Sequence, residues 1–544
     1  MSTMTRDDGR RRFAAWAAAV SQRTNRSLAG CRLTVANGIP GCADGDDGRM
    51  DDAARYDAQG DAAARNDAQD EGLAGFVDAA AQWGMVVRPD ADDRALDPAA
   101  PLDGMFDSRR ASGLAAMDYA QAHMPVTARL IGELSASGRL AGARIAVCLI
   151  LEPKTAVLLR LLRAAGATVG VFCEPESTDQ RVAEQLRREG VVVEADAGWS
   201  AGESRRGALR LLDEIRPQII IDDGASFARL AAMERPELLD DLIGVAEETT
   251  SGVRAFQAMQ DAGALTFPVI AVNDSVLKTG FDNMHGTGET CVTTMQRILG
   301  AQAFDGARVA VIGYGPVGRG FATRVRALGA RVAVCDTDPV AALRAVFDGF
   351  AALDVDDALP GADIVVSATG VRHTVTIGHM RRMREGAVLA VIGGIANEIA
   401  LDEIPGFRAE TGRDAVALPV PGGPTLTLLA DGDGVNYTVG GGNPIEIMDL
   451  SFAVQACAVA HLLETRGALA PGLHRLDAAA DRRIATAALA VRGFGASHAD
   501  GDNGYDWTMT RFADGHGGTA ASTDATDTTD TSGTSRTTAK EARR

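Results

Sequence analysis

The chain has 544 residues, enough for about three domain-sized units, because single hydrophobic cores seldom grow past roughly 250 residues. With 46% apolar and 23% charged residues it has the make-up of a globular protein, which excludes wholesale disorder and a fibrous repeat. The 54 basic residues against 73 acidic ones leave a net charge of -19, which repels nucleic-acid backbones and anionic membrane surfaces and excludes both as main partners.

The N-terminal run MSTMTRDDGRRRF brings charge before any apolar stretch, and nowhere do about 18 uncharged apolar residues follow one another. No signal segment or membrane span is expected, and the chain reads as cytoplasmic. Residues 46–72 carry AARYDAQ at 53–59 and AARNDAQ at 63–69, a quasi-repeat of Asp, Ala, Arg and Gly with too little apolar surface for a core. This predicts a low-complexity, disordered insert within an N-terminal extension, 1–105. The seven cysteines (Cys31, Cys42, Cys148, Cys173, Cys291, Cys335 and Cys457) include no CxxC pair and are odd in number, against a disulfide framework or a zinc site. No metal is expected.

From about Asp107 to Gly495, apolar runs alternate with helical patterns, the signature of parallel α/β architecture. ARIAVCLI (143–150), an amphipathic stretch over 155–166, TVGVFC (168–173) and QIIIDDG (218–224) read as strand, helix, strand and a later strand. RVAVIGYGPVGRG (308–320), RVAVCDTD (331–338), DIVVSATG (363–370) and AVLAVIGG (387–394) repeat the alternation. The fold class expected is α/β, with two doubly wound parallel-sheet, Rossmann-like domains facing one another across a cleft. The Gly, Asp, Ser and Thr-rich stretch from about 497 to 544 is expected to be a disordered tail.

RVAVI (308–312) leads straight into Gly313-Tyr314-Gly315-Pro316-Val317-Gly318, and Phe321, Val325 and Leu328 then recur at helical spacing. This is GxGxxG between a strand and a helix. It supplies a tight turn, a backbone that a pyrophosphate can approach, and a helix N-terminus with free N–H groups. The next strand ends at Asp336, where a carboxylate accepts hydrogen bonds from ribose hydroxyls. A dinucleotide is expected, NAD rather than NADP, because Asp336 repels a 2'-phosphate. Arg319 and Arg331 lie close enough to keep NADP formally open.

GVAEETTSGV (244–253) and VNDSVLKTGFDNMHGTGET (272–290) set acids, a lysine and amides among apolar residues. Together with Met124-Pro125, IIIDDG, VIGYGPVGRG, DTDP, SATG, LADGDGVN and the GNP ending at Pro444, they resemble the motifs of S-adenosylhomocysteine hydrolases, in that family's order. The resemblance implies a bound NAD that oxidises a nucleoside's 3'-hydroxyl, elimination and hydration at C5', and return of the electrons. It implies a substrate-binding domain (106–285), an NAD-binding domain (286–440), a segment returning to the first domain (441–496), and a homo-oligomer as an expectation. Lys278 and Asp282 fall on residues that handle protons at the 3' and 4' positions, Glu248 on a sugar-binding acid and Asp223 on the carboxylate beside the ribose. Thr249, Thr250, Ser251 and Asn283 fall on residues that touch NAD, and Pro316, Val317, Ile392, Gly393 and Asn436 complete the expected cofactor set.

Isolated readings of these residues are blander. Asp222 and Asp223 would cap the following helix, Glu247 would be a surface acid, and Lys278 with Asp282 a solvated i, i+4 pair. The chain also departs from the family. Ile150 to Thr155 (ILEPKT) stands where the family has His-Met-Thr-x-Glu-Thr, with only Thr155 matching, so Glu152 and Thr155 are the substrate-binding candidates there. Lys154 reverses the charge of the family's Glu, Gly394 and Asn443 replace two histidines, Thr287 replaces a Cys, and the family's Lys and Tyr-bearing tail is absent. Ile and Gly cannot carry protons as imidazole does. The reading is an adenosylhomocysteinase-like NAD enzyme acting on S-adenosylhomocysteine or a related 5'-substituted nucleoside. The alternatives are a catalytically impaired NAD-binding paralogue and a 2-hydroxyacid dehydrogenase using His373 or His379.

Overall fold

In the computed structural model, which describes residues 4–36, 38–39, 58–88, 95–393, 397–407 and 413–497, the alternating apolar runs form two seven-stranded sheets flanked by helices. The predicted tail lies outside the described residues, as does the part of the predicted insert over 46–57.

Parts of the N-terminal extension are more ordered than composition predicts. Helix Arg6–Thr24 starts at Thr5, whose hydroxyl accepts the N–H of Asp8 (3.2 Å) while the Asp8 carboxylate accepts that of Thr5 (2.9 Å). A second helix, Ala58–Trp83, packs against it and takes in the part of the predicted insert from Ala58 onward. Phe13, Trp16, Phe76 and Trp83 are buried between them, with ring centroids 5.4 to 6.2 Å apart, and join the same core as Phe321 and Val325. Arg10 and Arg11 pair with Asp305 at 2.8 and 2.7 Å. Short strands β1 (Arg32–Thr34) and β2 (Val86–Arg88) pair in parallel beside this unit. The composition of the repeat concealed this, because the apolar residues are gathered outside it, in FAAWAAAV (13–20) and FVDAAAQW (76–83). Neither half is a core alone, but the two together bury one.

The first sheet is parallel: β3 (Arg144–Cys148), β4 (Thr168–Phe172), β5 (Val192–Glu194), β6 (Ile219–Asp222), β7 (Gly244–Glu247) and β8 (Pro268–Ala271), ordered β8-β7-β6-β3-β4-β5. Strand order reverses between β3 and β6, which opens a crevice at their carboxyl ends. The second sheet contains β9 (Arg308–Ile312), β10 (Arg331–Cys335), β11 (Ala351–Ala352), β12 (Ile364–Ser367), β13 (Val388–Val391), β14 (Ala415–Pro419) and β15 (Thr425–Leu429). Its order is β11-β10-β9-β12-β13-β15-β14, parallel except for the antiparallel pair β14–β15, with the reversal between β9 and β12.

The chain returns to the first sheet through helix Ile445–Glu464, which packs on β6, β7 and helix Pro125–Ala136, and through β16 (Gly472–His474), which adds to the free edge of β8. That helix is apolar and long enough to cross a membrane, but its apolar residues sit in the core of the first domain. Polar groups within it are therefore conspicuous, and Gln455 and Asp449 are both buried.

Candidate active site

Parallel strands end with free backbone groups at their carboxyl ends, and acids there have two fates. Asp222, fully buried, accepts the N–H groups of Asp223 (3.0 Å), Phe227 (3.2 Å) and Ala228 (2.8 Å), so it caps the helix after β6. Glu247 is no surface acid: it is fully buried and accepts the N–H groups of Gly224 (3.0 Å), Ala225 (2.9 Å) and Thr249 (2.9 Å). These two carboxylates stiffen the loops after β6 and β7. Their neighbours Asp223 and Glu248 instead line a cavity of about 420 Å³ between the two sheets.

The opposite wall is a distorted helix. Val276–Lys278 is α-helical, and Thr279–Thr287 widens into a π-helix, a form that clusters at functional sites. A Cβ on Gly320, in the helix after the glycine turn, would fall 1.8 Å from the carbonyl oxygen of Met284, so only glycine admits this approach of the two helices. Lys278, just before the widened segment, has its Nζ 2.6 Å from Asp282 Oδ2, 3.0 Å from Asn283 Oδ1 and 3.8 Å from Glu248 Oε1. The Lys278 and Asp282 side chains are 6% and 3% exposed, so the pair is buried rather than solvated.

Charge in so little water shifts proton affinities. Burial pushes Glu248 up to about 7, with Lys278 pulling it down and Asp282 pushing it further up. Burial alone would lower Lys278, but Asp282 and Glu248 outweigh it and hold the amine above its ordinary value, as the ammonium. Asp223 is raised by burial, against the pull of Lys278. Gln455 donates to Glu248 Oε2 from the returning helix, whereas Glu248 Oε1 is buried without a hydrogen-bond partner, an acceptor left over for a ligand.

The second domain supplies the turn. Gly313 has φ +97°, a conformation closed to side chains without strain, and a Cβ on Gly318 would sit 1.9 Å from the Gly313 carbonyl oxygen. A Cβ on Gly315 would meet nothing within 4 Å, so its backbone faces open space where Pro316 begins the helix. Asp336 accepts the N–H of Tyr314 (2.6 Å) and of Asp338 (2.8 Å), tying the end of β10 to the turn. Gly315, Pro316, Val317, Gly393, Thr249, Thr250, Ser251, Asn283 and Asn436 line the same cavity, and the buried Oδ1 of Asn436 has no partner. An exposed helix N-terminus, a bare glycine and an unsatisfied amide oxygen suit a pyrophosphate and a nicotinamide, so the residues present fit NAD. Gly313, Gly318, Asp336 and Ile392 do not border this cavity.

Glu152 and Thr155 also line the cavity, beside Ile150. The Thr155 hydroxyl donates to the carbonyl of Ile150 (2.6 Å), so it braces its own loop. Asn443 donates to Asp282 and to Thr287 Oγ1 (3.0 Å) and accepts from Asn436 Nδ2 (3.2 Å), an amide clamp on the acid. Gly394 lies outside the described residues. His373 bonds Asp402 (2.7 Å) and His379 caps its own short helix, and neither borders the cavity, so neither sits where a dehydrogenase histidine is needed. The sequence reading passed over Asn273, which accepts from Thr250 (3.0 Å) and Asn283 (3.4 Å), and over Gln455. A lone amide in the apolar run SFAVQACAVA was the available signal for Gln455.

A family model described as S-adenosyl-L-homocysteine hydrolase matches residues 107–234, and one described as its NAD binding domain matches 283–442. The chain is 39% identical to an adenosylhomocysteinase of Thermotoga maritima over 373 residues, 68% of this chain and 92% of that protein. It is 38% identical to an S-inosyl-L-homocysteine hydrolase of Methanopyrus kandleri over 382 residues, 69% of this chain and 90% of that protein. An adenosylhomocysteinase of Pyrococcus abyssi is 40% identical over 385 residues, 70% of this chain and 91% of that protein.

Proposed function

The chain belongs to the S-adenosylhomocysteine hydrolase family, and from that premise we propose that its cavity takes a 5'-substituted purine nucleoside through 3'-oxidation, loss of the 5' substituent, addition of water and re-reduction. The observation that carries this reading is the buried Lys278, Asp282 and Glu248 cluster facing a glycine turn that fits NAD across one cavity.

When bound, NAD supplies a reversible two-electron oxidation of a sugar hydroxyl. The chain's own residues do the rest. The free Oε1 of Glu248 accepts a ribose hydroxyl, and Lys278, already an ammonium, steadies the alkoxide that forms as a neighbouring carboxylate takes the hydroxyl proton. A 3'-ketone acidifies C4'–H, and Asp282, oriented by Lys278 and Asn443, accepts that proton as the C5' bond to the leaving group breaks. The leaving group departs with the bonding electrons and takes up a proton, and water then adds across the double bond.

Relatives named for adenosyl and for inosyl substrates both resemble this chain, and Glu152 is an acceptor suited to the amino group of adenine or the N1–H of hypoxanthine. A second reading, an NAD-binding paralogue without 5' chemistry, is favoured by one observation: among the described residues no histidine lines the cavity. A homo-oligomer belongs to the main reading, supported by the exposed apolar face of helix Pro339–Phe347, where Val340, Leu343 and Phe347 are 62%, 58% and 85% exposed. A cytoplasmic setting belongs to it too, in keeping with free thiols at Cys31, Cys148, Cys173, Cys291, Cys335 and Cys457.

The test is to incubate the NAD-loaded protein with S-adenosylhomocysteine, S-inosylhomocysteine, adenosine and inosine while following reduced-nicotinamide absorbance and free thiol. Reduction with at least one nucleoside is expected, and thiol release slower than about 1–10 per second because an imidazole at C5' is missing. Reduction without thiol release selects the paralogue reading. No spectral change with any nucleoside refutes the main one.

A further inference from the structure

The N-terminal extension does more than cover the second domain. Helix Arg6–Thr24 ends at Asn25, held in the left-handed conformation (φ 52°) with its N–H on Ser21 (2.9 Å). From that position its side chain reaches the far side of the molecule's cleft. Its Oδ1 accepts from Lys154 Nζ (2.8 Å), and its Nδ2 donates to the carbonyls of Gly441 (2.9 Å) and Gly442 (3.3 Å). Its own carbonyl accepts the N–H of Ile445 (3.0 Å), the first residue of the returning helix.

Lys154 is 1% exposed, and its three hydrogens are spent on Asn25, on Gly441 O (3.1 Å) and on Glu152 Oε2 (2.5 Å). It therefore has nothing left for a ligand, and it does not line the cavity that holds Lys278 and Glu248. Glu152 does line that cavity, and also an adjoining chamber of about 460 Å³ to which Asn25 and Lys154 contribute. One asparagine thus braces two walls of the site: Glu152 through Lys154, and the Gly441–Asn443 strap whose last residue donates to Asp282.

We infer that Asn25 is a positioning residue for the nucleoside cavity, acting through Lys154 on the aim of Glu152 and through the Gly441–Gly442 carbonyls on Asn443. The inference rests on the nucleoside reading above. It makes substrate affinity depend on a segment that precedes the family match, which begins at residue 107. A Lys154 deprived of the Asn25 oxygen would hold Glu152 and Gly441 O more tightly and turn Glu152 further into the wall, because a buried ammonium takes whatever acceptor remains.

The experiment is titration calorimetry of adenosine and inosine into the NAD-loaded full chain, with steady-state kinetics alongside. Asn25→Gly keeps the left-handed cap and removes the side chain. It is expected to weaken nucleoside binding about tenfold, with KM rising more than kcat falls and NAD affinity unchanged. Asn25→Asp keeps an oxygen on Lys154 and should recover most of the affinity, a rescue that a purely structural role does not predict. Lys154→Met, which retains the apolar stem, is expected to match Asn25→Gly and serves if the glycine variant fails to fold. Nucleoside affinities within twofold of the unaltered chain in Asn25→Gly, or in Lys154→Met where the glycine variant does not fold, overturn the inference alone. Absence of nucleoside binding by the unaltered chain overturns it together with the functional reading.

Discussion

Replacing Lys278 by Met tests the centre of the reading, because Met preserves the stem and removes only the charge. In the intact site the ammonium sits 2.6 Å from Asp282 and 3.8 Å from Glu248, both almost fully buried. At an effective dielectric of about 20, one such attraction at 4 Å is worth about 4 kcal/mol, and the cost of desolvating both partners offsets much of it. Removing one partner leaves the others buried and uncompensated, which typically costs about 3–5 kcal/mol. The remaining acids relieve this by taking up protons, so Glu248, already raised to about 7, moves further up. Lys278→Met should therefore lower the thermal midpoint of the NAD-loaded protein and slow nucleoside oxidation by about 100-fold to 10,000-fold. Single-turnover absorbance of the reduced nicotinamide reads the chemical step apart from binding. Oxidation within tenfold of the unaltered rate, in a folded variant that still binds NAD, would refute the placement of Lys278 in the machinery.

Nucleoside affinity should rise with pH through about 7, since below that value Glu248 carries a proton and, with Gln455 donating to Oε2, the proton falls on Oε1, the oxygen that would accept the sugar hydroxyl; calorimetry across the range should show the step, and Glu248→Gln should abolish it. Asp336→Ala should weaken NAD more than NADP, because it removes the proposed ribose acceptor, whose charge also repels a 2'-phosphate, while loss of the bond to Tyr314 N–H loosens the turn for both; unmutated protein that prefers NADP would contradict this. Phe13→Ala should cost about 3–5 kcal/mol of stability, measured by denaturant melts, because Phe13 is fully buried among Trp16, Phe76 and Trp83. A change below about 1 kcal/mol would show that the extension adds little to the stability of the core it joins.

What could be read from the sequence followed from how local the physical cause is. RVAVI and RVAVC become β9 and β10 residue for residue, since an inner strand of a helix-covered parallel sheet is a continuous apolar run bounded by turns, fully buried after Arg308 in β9 and half-buried at Val332 and Ala333 in β10. ARIAVCLI overruns β3 because Leu149 and Ile150 are apolar for another reason: they border the cavity after the strand has ended. The pairing of Lys278 with Asp282 was visible as i, i+4 spacing, but the π-helical turn that follows Lys278 depends on Gly320, well further along the chain, admitting the carbonyl of Met284. Of the paired acids, Asp222–Asp223 and Glu247–Glu248, nothing local says which member meets the cavity; the last strand residues, Asp222 and Glu247, are taken by backbone N–H groups of the following loops, and Asp223 and Glu248, just past the strand ends, line the cavity.

The N-terminal segment illegible in the sequence is the same one that braces the site. Its helices each bury half a core, so the periodicity of either alone is weak, and the residues that reward their pairing lie far along the chain, at Asp305, Phe321 and Gly441. Asn25 looks like an ordinary helix stop, and as a stop it is unremarkable. Its second role exists only because ILEPKT carries Lys154 where the family carries an acid. A buried lysine needs acceptors, Glu152 supplies one, and the others come from Asn25 and Gly441. The departure at 150–155 and the added N-terminal helix are therefore parts of one arrangement, since the substitution would leave an under-satisfied ammonium without the helix cap. Substituting the family's own residues at 150–155 alone should consequently leave Asn25 Oδ1 facing a carboxylate rather than an ammonium, and fail to restore a family-like site unless Asn25 is changed with them.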